Sequence, residues 1–215
     1  MKQRVLLSGK DAVDLLHRLS TINVQGLALD TPTPALLLNP QAKIISFFTA
    51  TLKSATEIEI EFQENFLEVL DQYTFAERYQ IQPLPLKDEA ILSEKARIEQ
   101  LSAAIGKEFL ENGLTNPLEV NLGSAIHDGK GCYPGQEVIE KIISLGSPAK
   151  RLALVEGANA DELPALLFAE NGTEAGTLTS FFEDVGLAIL KRTHLTPGLK
   201  LKTKTGSLTV KKVSS

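Results

Sequence analysis

The stretch Lys130-Gly131-Cys132-Tyr133-Pro134-Gly135-Gln136-Glu137 gathers the chain's single cysteine with two glycines, a proline and a tyrosine. It stands directly before a run with Val138, Ile139, Ile142 and Ile143 at helical spacing. Pro134 suits a helix start, where the first amides lack partners, and Glu137 falls in the first turn, where negative charge is favoured. Cys132 then lies just outside a helix N-terminus and beside Lys130. Both features stabilise a thiolate, the nucleophilic form of cysteine. The glycines let backbone approach a ligand or another loop closely. A lone cysteine is also commonly a small buried hydrophobe, and the residues alone leave both readings open.

Other constellations are weaker. His127 lies five residues before Cys132, which does not establish a cysteine–histidine pair. His17 falls on a helix with an apolar face and His194 in a Thr-His-Leu-Thr loop. No phosphate loop, dinucleotide fingerprint or glycosidase-like carboxylate pair is evident. One cysteine permits neither an intrachain disulfide nor an all-cysteine metal site, and no metal site is expected. In 215 residues there are 22 basic and 27 acidic side chains, a net charge of -5. That balance argues against direct nucleic-acid binding. A 43% hydrophobic and 23% charged composition is that of a globular chain. No window approaches a membrane span, and no export signal accompanies the lone thiol, so a cytoplasmic protein is expected.

The elements that must position the motif read as follows. Arg4–Leu7 is a strand. Asp11 caps a helix carrying Ala12, Leu15, Leu16 and Leu19. Ala35–Leu38 and Lys43–Leu52 are strands around a turn at Asn39-Pro40-Gln41. Thr56–Phe62 alternates, with Ile58, Ile60 and Phe62 inward and Glu57, Glu59 and Glu61 on a solvated face. Glu64–Gln72 is a helix, Glu77–Ile81 a strand and Glu89–Ile105 a further helix; Glu111–Gly129 is loop-rich and Gly135–Ser144 is a short helix. This order predicts an α+β region with a mostly antiparallel sheet. After Gly146-Ser147-Pro148, runs at 151–155, 176–180, 186–190, 199–203 and 208–212 predict a small antiparallel barrel or sandwich. The expected division is 1–148 and 149–215. Residues 198–215 hold five lysines and no acid. Lys200, Lys202 and Lys204 share one strand face, either protecting an edge strand or forming a partner-docking patch.

The octapeptide closely resembles the K-G-C-Y-x-G-Q-E signature of the YgfZ-type folate-binding proteins, relatives of the glycine-cleavage T-protein. Further similar pieces follow in order. Asp11 through Leu19-Ser20-Thr21-Ile22-Asn23-Val24 resembles the opening helix and its T-x-D-V ending, with Asn23 in the aspartate's place. Ala96-Arg97-Ile98-Glu99 resembles the R-(I/L)-E element, and Asn116-Pro117-Leu118-Glu119-Val120-Asn121 the P-x-E-x-x-L segment. Ala149–Leu152, Ala175–Ser180 and Gly186–Arg192 resemble the C-terminal barrel. The chain departs from the pattern at Ile139-Glu140-Lys141, at Gln100-Leu101-Ser102 after the R-I-E element, and in a shortened middle.

The resemblance implies a GcvT-like multi-part ring with mixed and antiparallel sheets and a small C-terminal β-barrel, with 1–148 as the folate-binding region. It implies tetrahydrofolate or a derivative as cofactor and iron–sulfur enzymes as protein clients, among them enzymes that modify tRNA. Cys132 would be the functional thiol. Glu99 would accept from the pterin edge, or be a solvated helix carboxylate. Arg97 would be a tail or structural partner, Tyr133 a stacking ring, and Gln136 and Asn23 would complete the cofactor-binding set. The segment from Leu52 to Phe62 shows no match to the T-protein's catalytic acid, which points away from a standard aminomethyltransferase. A one-carbon (aminomethyl) transferase and a binding module that has lost its ligand are the alternatives.

Overall fold

The computed structural model describes residues 2–87, 92–159 and 161–214. The chain forms two compact units. One comprises Met1–Glu89, Glu111–Thr115 and Gly123–Lys141, the other Ala90–Leu110, Asn116–Leu122 and Ile142–Ser215.

In the first unit, β1 (Gln3–Ser8), β2 (Thr33–Leu38), β3 (Ile44–Ser54), β4 (Glu57–Phe62) and β5 (Gln80–Pro83) form an antiparallel sheet in the order β2-β3-β4-β1-β5. Alternation sets the register. Ile60 lies opposite Val5 on one side and Ala50 on the other, and Ile58 opposite Leu7 and Leu52. These apolar residues meet Leu15 and Leu16 of α1 (Ala12–Leu19) and Phe66, Val69 and Leu70 of α2 (Phe66–Gln72) in one core. Phe66 stacks at a tilt against Phe48 and Phe62, with centroids 4.8 and 5.2 Å away. Asp11 stands at the N-cap of α1 without capping it through its side chain. Its carboxylate accepts instead from the Arg78 N–H at 2.8 Å.

The expected solvated acidic face of β4 is overturned. Glu59 and Glu61 are only 4% and 8% exposed. β4 is the central strand, and beyond β5 the chain continues along β1, with Leu84 N–H on Arg4 O at 2.8 Å, which brings Lys87 within reach of the outer face of β4. Arg4 clamps Glu59 through Nε at 2.8 Å and Nη2 at 2.6 Å, and Lys87 joins both carboxylates. Alternation reports two faces; it does not report whether the polar one is covered. The expected strand at 77–81 begins later, at Gln80, because Glu77 is used in a turn.

In the second unit, β6 (Lys150–Ala158), β7 (Ala165–Ala169), β8 (Glu174–Phe182), β9 (Val185–Lys191), β10 (Lys200–Lys202) and β11 (Ser207–Val213) close a barrel in the order β10-β11-β6-β9-β8-β7. Ala153, Val155, Leu167, Leu178, Leu190, Leu201 and Leu208 fill it. β10 is no edge strand. Lys200 pairs with Thr209 of β11, and Leu201 with Ala169 of β7. Lys200 and Lys202 simply point outward around a buried Leu201.

The long helix expected over 89–105 shrinks to α3 (Glu94–Glu99), residues 89–91 lying outside the described ones. Leu101 takes a left-handed φ of 55°. Leu101 N–H bonds Ile98 O and Ser102 N–H bonds Arg97 O, both at 3.0 Å, a Schellman-type stop. Ile98 and Leu101 pack on Leu152, Val185 and Leu187 of the barrel wall.

Candidate functional site

In the first unit, the chain from 127 to 136 is laid against the end of α1 and the residues after it. His127 N–H donates to Thr21 O at 2.9 Å. Thr21, fully buried, donates to Ala125 O at 2.5 Å and accepts from Leu36 N–H at 3.0 Å. Lys130 Nζ donates to the carbonyl of the fully buried Ser20. Tyr133-Pro134-Gly135-Gln136 forms a β-turn closed by Gln136 N–H on Tyr133 O at 3.2 Å, with Gly135 at φ 82°. Proline second and glycine third is the type II pattern. A Cβ on Gly135 would lie 2.6 Å from Asn39 O and 2.8 Å from Ala42 Cα, so the turn is seated on the β2–β3 connection. The helix, α4 (Gln136–Ser144), therefore begins after Pro134. Cys132 lies upstream of the Tyr133–Gln136 turn and outside the helix, and Lys130 is its charged neighbour.

Cys132 is a free, exposed thiol. Lys130 is half-buried, and its ammonium lies 5.2 Å from the Tyr133 ring centroid. Burial pulls the Lys130 amine down to about 8, and nearby Cys132 works against that fall. Burial and then the Glu140 charge push the Tyr133 phenol up to about 12, so it stays a neutral hydrogen-bonding group. His17, on α1, is lowered by burial and then by the Lys130 charge, with Asp14 opposing; its Nδ1 is buried without a partner among the described residues. The arrangement is an exposed soft nucleophile beside an amine that can change charge near neutral pH.

The other expected residues have these surroundings. Asn23 is half-buried and caps the short 3-10 turn Val24–Gly26, its Oδ1 accepting from Gly26 N–H at 3.3 Å. Gln136 donates from Nε2 to Glu140 Oε1 at 2.6 Å. Arg97 and Glu99 belong to the second unit. Glu99 is exposed at the end of α3. Arg97 binds Glu94 through Nε and Nη2, at 3.0 and 2.8 Å. Its Nη1 reaches Ser102 O and Glu108 Oε2, at 2.6 and 2.8 Å, and Nη2 also reaches Ser180 Oγ at 2.6 Å. All five guanidinium donors have partners. Glu108, whose side chain is fully buried, also accepts from Thr179, Ser180 and the Ala104 N–H. Arg97 is thus a structural tie. Sequence reasoning named Lys130 and missed its anchor at Ser20; the Ser20-Thr21 pair, polar residues directly after an apolar helix, was the available signal. Among the described residues no cluster of three or more His, Cys, Asp or Glu is placed to hold a metal ion.

The chain has a GcvT-like fold, α+β with a closed six-stranded C-terminal barrel. It is similar to glycine cleavage system aminomethyltransferase T from Bartonella henselae, with a TM-score of 0.83 over 98% of this chain and 83% of that one. The identity is 12%, so the likeness shows the fold. Residues 150–214 match the family model of the CAF17 C-terminal beta-barrel domain. No curated protein matches the sequence. No described helix is long and apolar enough to cross a membrane.

Proposed function

We propose that the protein is a folate-binding helper in the assembly or repair of iron–sulfur enzymes, including enzymes that modify tRNA, with 1–148 as the folate-binding region and 149–215 as the barrel domain. The observation that carries this reading is the Lys130–Glu137 loop, which exposes Cys132 beside a half-buried Lys130 in a chain of GcvT-like fold. The match of residues 150–214 to the CAF17 barrel supports the same assignment. In the first unit Tyr133 offers a half-buried ring for stacking on a pterin, and in the second unit Glu99 is an exposed carboxylate at the end of α3. Arg97 has no donor left for the glutamate tail. Glu59 and Glu61 are committed to Arg4 and Lys87, so they do not supply the free acid that aminomethyl transfer needs.

Calorimetric titration of the full chain with tetrahydrofolate tests the cofactor. Saturable binding is expected, and its absence removes the folate half of the reading. In cells lacking the protein, iron–sulfur enzyme activity should fall. It should return with the wild type and stay low with Cys132→Ser. Equal rescue by the serine variant removes the thiol from the function.

A further inference from the structure

β3 runs beyond the last pair it makes with β4, Phe48 with Phe62, and there the segment Glu111–Thr115 of the first unit takes the place of a neighbouring strand. Ile44 N–H donates to Thr115 O and Gly113 N–H to Ile44 O, both at 2.9 Å. Asn65 Nδ2 donates to Glu111 O at 2.7 Å, and Asn39 Nδ2 to Gly113 O at 3.4 Å. The Phe47 N–H is accepted by Glu111 Oε1. The Glu111 side chain is an uncommon fastener. The residue is only 5% exposed, and its Oε2 is buried with no hydrogen-bond partner among the described residues. Buried carboxylates are ordinarily paired with a cation. No lysine, arginine or histidine forms an ion pair with this one among the described residues. Lys43, on the β2–β3 connection, makes no ion pair either, and the charged group that acts on Glu111 is another acid, the exposed Glu64 just before α2.

Burial raises the Glu111 carboxyl above its ordinary 4.5; the Phe47 N–H and the Ser46 hydroxyl oppose this, and the Glu64 charge adds to it. A neutral Glu111 suits the buried site, whereas an ionised one puts an uncompensated charge there. The docked acid therefore keeps its proton more readily than the released one. Its hold is complete below about pH 4.5 and is lost as pH rises through the folded value. Asn39 carries the consequence further. While its Nδ2 holds Gly113 O, its Oδ1 accepts from the N–H groups of Gln41 and Lys43, at 3.0 and 2.9 Å, and so shapes the β2–β3 connection on which Gly135 is seated. We infer that Glu111–Thr115 is a pH-gated strap, fastened while Glu111 holds a proton and released as it ionises, and that the seat of the Cys132 turn loosens with it. The strap stands independently of the folate reading; its bearing on Cys132 rests on the function proposed for that thiol.

The test is residue-resolved amide hydrogen exchange of the full chain between about pH 5 and 7.5, each rate corrected for the intrinsic pH dependence of exchange. The Ile44, Phe47 and Gly113 amides should lose protection by about fivefold or more over that range, and the Gln136 amide should follow them. In Glu111→Gln, a permanently neutral isostere, protection should vary by less than about twofold. Glu64→Gln, at an exposed position, leaves Glu111 in place and should shrink the fall, because it removes a charge that favours the proton. Protection that stays level in the wild type, or a fall that neither variant reduces, overturns the strap. A fall at Ile44, Phe47 and Gly113 with the Gln136 amide unmoved overturns the link to the Cys132 turn. The readout involves neither folate nor an iron–sulfur enzyme, so failure of the strap and failure of the proposed function are told apart.

Discussion

Lys130 shows how one residue couples a loop's structure to its chemistry. Its amine is drawn inward to the Ser20 carbonyl, and the lost hydration lowers its affinity for a proton, to a pKa of about 8. The ordinary value is 10.5, so between about 8 and 10.5 the unfolded chain binds more protons than the folded one. Stability from this group is therefore penalised below about pH 8 and recovers as pH rises through that window. Urea midpoints of the wild type relative to Lys130→Met should climb between pH 7.5 and about 10.5. A difference that stays flat across that range would show the amine to be normally hydrated. The octapeptide itself was legible, because its residue types concentrate reactivity and turn geometry in eight positions. The Ser20 contact was not, since it joins residues 110 apart in sequence. Gly135 makes the companion case: its φ of 82° and the 2.6 Å approach to Asn39 O leave no room for a methyl group. Gly135→Ala should cost about 2 kcal/mol or more, from left-handed strain and overpacking together, read by equilibrium denaturation.

At the scale of the element, β4 carries the clearest lesson. Its alternating Ile and Glu residues were legible as a strand, and the inward register followed from them. The fate of the outer face depended on where a segment more than twenty residues later returns, which no local pattern encodes. With Glu59 and Glu61 buried, removing Arg4 takes away the bidentate partner of Glu59 and leaves the two carboxylates to the more exposed Lys87 and Lys2. Arg4→Ala should destabilise the protein by about 3–5 kcal/mol, measured by urea unfolding at neutral pH. Arg4's hydrogen bond holds Glu59 down to about 2, against an ordinary 4.5. The folded carboxylate thus binds its proton less readily than the unfolded one. Its contribution is complete above about pH 4.5 and disappears as pH falls toward 2. The stability gap between wild type and Glu59→Gln should narrow over that window. A gap that persists to pH 2 would mean the ion pair does not set the strand's acid sensitivity.

For the molecule as a whole, the change from an α+β texture to short β runs was legible in turn residues, which left barrel and sandwich open; the family resemblance supplied the barrel, and the closed barrel is what forms. Closure depends on β7, whose Ala-Leu-Leu-Phe-Ala run lacks the polar alternation that marks a half-buried strand. It also depends on the pairing of β7 with β10, three residues long, whose lysines resemble those that guard an open edge. Because β10 and β11 link β7 to β6, they remove two edges at once. Ending the chain after His194 deletes both strands, leaves the flanks of β6 and β7 unpaired, and strips Leu201, Leu208 and Val210 from the barrel core. Unpaired edges beside an opened apolar interior are templates for intermolecular pairing. The shortened chain should therefore elute as soluble aggregate or partition to the pellet, and its β signal in circular dichroism should not recover the wild-type intensity. A monomeric product with native β content would mean that four strands suffice to hold this interior, and that closure serves another purpose than stability.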